Sequence, residues 1–118
     1  MSNSLVGVVF DCADTLTVAQ FWADVLGRQI AADSTAEHVV LLAGDRDTGW
    51  PPLVFNAVPE PKTVKNRLHL DLVSDTFEAE TERLLSLGAQ KLGDRQADKA
   101  HWTTFADIEG NEFDLIAG

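Results

Sequence analysis

The sequence predicts an α+β fold built from two tandem modules, each a strand, a helix and then three strands. Three observations carry this. The second half of the 118-residue chain repeats the first at an offset of 61 residues, with Val8 through Thr15 aligning without a gap on His69 through Thr76. Each copy shows the same punctuation, an apolar β-rich run, a polar capping pair, an amphipathic segment and a glycine stop. Shorter β-like runs separated by turn residues then follow in both halves.

In chain order, Leu5 to Cys12 reads as the first strand. Asp14 and Thr15 offer cap oxygens to a helix carrying Val18, Phe21, Trp22, Val25 and Leu26 at helical spacing, and Gly27 closes it. A weak strand is expected near Gln29 to Ala32, then clearer ones at Val39 to Ala43 and Leu53 to Val58. Residues 59 to 66, with Pro59 and Pro61, cannot continue a sheet and form the linker between module 1 (about 1–58) and module 2 (about 67–118) of a single domain. Leu68 to Val73 is the second module's first strand, followed by a helix capped by Asp75 and Thr76, carrying Leu84, Leu85 and Leu87 and stopped by Gly88. A weak strand near Gln90 to Leu92 precedes Trp102 to Ala106 and Glu112 to Ile116, the last two joined by a hairpin at Gly110 and Asn111. Halves of this size bury too little surface to be stable alone, so a shared sheet is expected, curved around a groove with the helices outside.

Composition bounds the function. A formal charge of −10 opposes phosphate-backbone binding and favours a neutral or cationic small ligand. No apolar run approaches the ~20 residues of a membrane helix, and the start of the chain lacks a signal-peptide pattern, so a cytoplasmic location is expected. Cys12 is the only cysteine, which excludes an internal disulfide and a cysteine-rich zinc cluster. There is no serine-hydrolase spacing, phosphate-cradling glycine loop or dinucleotide fingerprint.

Strand alternation places Leu68, Leu70 and Leu72 on the helix side and His69, Asp71 and Val73 on the groove side. The offset puts Val8, Phe10 and Cys12 on the matching face, leaving Asp11 on the helix side, where an unpaired carboxylate would be costly. In the last strand Glu112, Asp114 and Ile116 join the His69 side, and Val54, Asn56 and Val58 are their first-half counterparts. The groove then has an apolar wall from one half and an acidic wall with one histidine from the other. Asp71, Glu112 and Asp114 are candidate acid–base carboxylates or simply wet groove residues, and His69 is either a reactive group or a histidine bonded to Asp71 or Asp114. Trp50 and Trp102 are candidates for stacking on a flat ligand, whereas Trp22 belongs to the core. His38 and His101 are expected at strand starts without chemistry.

Phe21 and Trp22 followed by Val25, Leu26 and Gly27, the run Arg67 to Leu72, and the run Asp107 to Phe113 together resemble the vicinal oxygen chelate superfamily, and within it the glyoxalase-like, bleomycin-resistance-like proteins. The resemblance spans nearly the whole chain and implies two βαβββ modules and a homodimer. It places metal-ligand positions at Val8, Asn56, His69 and Asp114, of which valine cannot ligate and asparagine does so weakly. The reading that follows is a protein binding a small organic molecule, with no cofactor and an incomplete metal set, contacts from Val8, Phe10, Asn56, Asp71, Trp50 and Trp102, and any catalysis resting on His69, Glu112 and Asp114. The alternative is a glyoxalase-type lyase or isomerase holding nickel, zinc, iron or manganese at His69 and Asp114; a regulatory interaction module is the third.

Overall fold

Asp14 starts the first helix as the sequence expects. Its carboxylate accepts from the Thr17 backbone N–H at 3.3 Å and from Thr17 Oγ1 at 2.7 Å, which holds its pKa below the ordinary carboxylate value. The helix, α1, runs Thr15–Leu26 and ends at Gly27, whose φ of 65° lies in the left-handed region that glycine adopts without strain. The computed structural model describes residues 3–44 and 51–118 and divides into two compact units, Met1–Pro61 and Lys62–Gly118.

The first unit is a three-stranded mixed sheet with α1 on one face. β1 (Val8–Cys12) pairs parallel with β3 (Leu53–Ala57), which pairs antiparallel with β2 (His38–Leu41), giving the order β1-β3-β2. α1 buries Val18, Phe21, Trp22 and Val25 over Val39, Leu41, Leu53 and Phe55. The weak strand expected near Gln29 to Ala32 is reduced to one bridge, Ile30 to Leu41, so among the described residues this unit carries two strands after its helix. Ser34 N–H turns back onto the Ala31 carbonyl, and two alanines with an aspartate supply little β preference to resist that turn.

The faces of β1 are displaced by one residue from expectation. Phe10 packs against Trp22 of α1 at 5.6 Å between ring centroids and against Phe55 at 5.0 Å, and Cys12 is buried, so Val8, Phe10 and Cys12 face the helix. Val9 and Asp11 are exposed on the other side, which removes the cost of a buried carboxylate at Asp11. Phe10 pairs with Phe55 as Leu70 pairs with Phe113, so the first strand repeats at 60 residues and the last at 58, neither at 61.

The second unit has the full strand complement. β4 (Leu70–Ser74), α2 (Phe77–Ser86), β5 (Gln90–Ala97), β6 (Ala100–Ala106) and β7 (Glu112–Ala117) form a sheet of order β4-β7-β6-β5, with β4 and β7 parallel and the rest antiparallel. The core is Leu84 with Phe105, Phe113 and Leu115, the two phenylalanine rings stacked 5.6 Å apart. Leu68, expected on the helix side, is 71% exposed and precedes the strand. β5 is far longer than its short apolar signal suggested. It is an edge strand exposed nearly throughout, so no alternation marks it, and it turns into β6 through Asp98 at φ 54°. Among the described residues no helix is long and apolar enough to cross a membrane.

The β6–β7 turn rests on Asp107, only 4% exposed, whose Oδ1 accepts from the backbone N–H groups of Glu109 and Asn111 while both its oxygens take bonds from Asn111 Nδ2. Replacing Asp107 with alanine removes the acceptor from these part-buried donors. Urea unfolding of Asp107→Ala is expected to show a loss of about 2 kcal/mol or more, and a midpoint unchanged from the parent would contradict this role for the turn.

Candidate functional site

The candidate site is built on the sheet face of the second unit that lies opposite α2. Parallel pairing sets Asp71 directly beside Asp114, and antiparallel pairing sets Asp114 beside Thr104, so the three form one row across β4, β7 and β6. His69 sits one residue before β4 and two before Asp71, on the same side. Its Nδ1 lies 2.9 Å from Asp71 Oδ1 and 4.0 Å from Asp114 Oδ2. Thr104 Oγ1 donates to the other Asp114 oxygen at 2.6 Å and aims that carboxylate. Among the described residues His69 is the sole basic partner of either aspartate.

One step along the sheet the same face turns apolar. Val73 pairs with Ile116 and Ile116 with Trp102, a second row parallel to the first. Val73 is 72% exposed, and Trp102 and Ile116 are half-buried. A polar row beside an apolar row is the pattern of a small-molecule site, in which hydrocarbon supplies contact area and a few polar groups fix orientation.

Ligand atoms of His69, Asp71 and Asp114 lie within 4.8 Å of one another. One imidazole nitrogen and two carboxylate oxygens suit a divalent ion of borderline or hard character, with further donors required to complete its shell. The donor set therefore fits such an ion in part.

Glu112, the third carboxylate expected at the site, is engaged elsewhere. It takes Lys62 Nζ at 2.9 Å and the Asn66 N–H at 2.9 Å, and its backbone carbonyl accepts from Asn66 Nδ2. The Lys62 bond chiefly, with the Asn66 N–H adding to it, holds the Glu112 pKa below its ordinary value despite partial burial. Residues expected as a plain linker thus clasp β7 to the start of the second unit.

In the first unit Asn56 pairs with Asp11 and with His38, the register equivalent of Asp114 between Asp71 and Thr104. His38 Nδ1 lies 2.7 Å from Asn56 Oδ1. Val8 and Phe10, expected beside Asn56, lie on the helix face instead, and the position matching His69 is Val9. Trp50 lies outside the described residues. The structure adds Thr104, Asp11 and His38 to the residues beside these positions. Thr104 is legible by counting outward from the Gly110–Asn111 hairpin, whereas Asp11 and His38 required the true strand offset.

A glyoxalase-like domain family model matches residues 7–116. No curated protein sequence is significantly similar to the chain. Among solved structures, the E126Q variant of the fosfomycin resistance protein FosX from Listeria monocytogenes, complexed with Mn(II) and 1S,2S-dihydroxypropylphosphonic acid, superposes with a TM-score of 0.81 at 16% identity over 100% of this chain and 92% of the other. A glyoxalase/bleomycin resistance protein/dioxygenase family enzyme from Burkholderia phytofirmans gives 0.77 at 17% identity over 98% of both chains. The hypothetical protein SA1046 from S. aureus gives 0.76 at 16% identity, covering 100% and 95%. At such identities the likeness is one of fold.

The Glu112 clasp has a signed pH consequence. A carboxylate whose folded pKa is depressed contributes stability above its ordinary value of 4.5 and loses it as the pH falls through the depressed value. Between about pH 6 and about pH 3 the parent is expected to lose more urea stability than Glu112→Gln, the two curves converging at the acid end. Parallel curves would show that the clasp does not couple to folding.

Proposed function

Because the chain belongs to the glyoxalase-like domain family, within the vicinal oxygen chelate superfamily, we propose that it binds a small organic molecule on the sheet face carrying His69, Asp71 and Asp114, in the sequestering manner of resistance proteins. The observation that carries this reading is the pair of adjacent rows on one face. Asp71 and Asp114, with one imidazole between them, form an acceptor-rich edge that attracts a cationic or hydrogen-bond-donating group. Val73, Ile116 and Trp102 receive the ligand's apolar part, Trp102 offering a ring for stacking. A net charge of −10 adds a field of the same sign. Binding of this kind needs no proton transfer.

A second reading is favoured by the three donors within 4.8 Å. His69, Asp71 and Asp114 would hold a divalent ion, which when bound supplies a Lewis acid for polarising a carbonyl or similar group. In that case the three side chains would orient the ion together, each through one ligand atom. Support for metal-free binding over this reading comes from the first unit, where the strand position matching His69 is Val9 and that matching Asp114 is Asn56, so the ligand pattern of His69 and Asp114 is not repeated there.

Equilibrium dialysis of metal-stripped protein separates the two. The expected outcome is no stoichiometric retention of nickel, zinc, iron or manganese, together with organic-ligand binding that survives chelator and weakens roughly ten- to hundredfold in His69→Ala and Asp114→Asn, the loss typical of a charged hydrogen-bond partner. One tightly held ion per chain, lost in His69→Ala, would establish the metal-assisted reading instead.

A further inference from the structure

The face of the second sheet that carries α2 is covered only in part. α2 lies over β7 and β4, and beyond it the outer strands leave an open cleft of about 510 Å³. Its base is a ring pair, Phe77 from the first turn of α2 and His101 from β6, with centroids 4.6 Å apart. Along one side stand Glu78 and Glu82, four residues apart and so on the same stripe of α2. Both are exposed, and among the described residues neither has an ion-pair partner.

The other side carries Lys91 and Asp94 of β5. Lys91 is the cleft's lysine, and it is bonded to Asp94 at 3.2 Å, while the second Asp94 oxygen is fixed by the buried Thr103 hydroxyl at 2.5 Å. Among the described residues the ammonium pairs with Asp94 of its own strand and forms no ion pair with Glu78 or Glu82. Aromatic surface at the base and two unpaired carboxylates at the lip are the complement of one ligand chemistry, a flat ring bearing a positive charge on a short arm. We infer that the cleft between α2 and β5–β6 is a second small-molecule site, distinct from the His69 face, and that it takes a protonated aromatic amine, the ring against Phe77 and His101 and the ammonium between Glu78 and Glu82.

The test uses tryptamine as the probe and indole-3-propionate, the same ring with a carboxylate arm, as its control. Titration followed by amide-resolved NMR is expected to give saturable shifts for tryptamine at Phe77, Glu78, His101 and Thr103, with indole-3-propionate producing none. The double substitution Glu78→Gln and Glu82→Gln replaces two exposed side chains and leaves the fold intact; it is expected to weaken tryptamine about tenfold or more, the effect of removing charged partners. Phe77→Leu should weaken it without abolishing the charge preference. His69→Ala should leave it unchanged, which separates this site from the opposite face. The inference is overturned by equal binding of the two indoles, by tryptamine shifts confined to Asp71, Thr104 and Asp114, or by no saturable shift up to millimolar probe.

Discussion

The parallel pairing of β4 with β7 is the constraint on which the rest depends. Successive side chains in a strand alternate faces, so a single register decides both what is buried and what is displayed. With Leu70 beside Phe113 and Leu72 beside Leu115, the core closes under α2, and the same pairing brings Asp71 beside Asp114 on the opposite face. A slip of one residue in β4 would bury Asp71 and expose Leu70 and Leu72. The site is therefore the other side of the core's own packing, which makes its geometry as firm as the sheet.

That origin explains the site's chemistry. Asp71 and Asp114 are held close by backbone pairing, although two carboxylates in adjacent positions repel. His69 and the Thr104 hydroxyl relieve this from either end of the row, by a contact of 2.9 Å to Asp71 and a bond of 2.6 Å to Asp114. A ligand bringing a positive or donating group completes what the protein supplies in part. The Lys62–Glu112 clasp serves a different end, fastening the segment ahead of His69 to the start of β7.

Much of this was legible in the residues. The Asp14 cap and the stops at Gly27 and Gly88 mark helix ends through local backbone conformation that needs no tertiary context, whereas Thr76 makes no side-chain cap bond and leaves the start of α2 to the backbone. His69, Asp71 and Asp114 followed from alternation in strongly patterned strands. The face of β1 is hidden from the sequence because the helix repeats at 61 residues while the first strand repeats at 60, so a gapless alignment carries the helix register into the strand. Asp11 marked the error, since a carboxylate on the helix face had no partner there. β5 was underestimated because an edge strand exposed on both faces carries no hydrophobic period, and the role of Glu112 was hidden because its partners lie 46 and 50 residues away in sequence.

The most direct test is the NMR footprint, on metal-stripped protein in which Glu78→Gln and Glu82→Gln disable the α2 cleft, of whichever compound binds most tightly from a set of small cationic and aromatic molecules. The account predicts shifts centred on His69, Asp71, Thr104 and Asp114 and extending to Val73, Trp102 and Ile116, the two rows of one sheet face. A footprint that avoids those residues, or one that forms there only after a divalent metal is added, would contradict metal-free binding by this face.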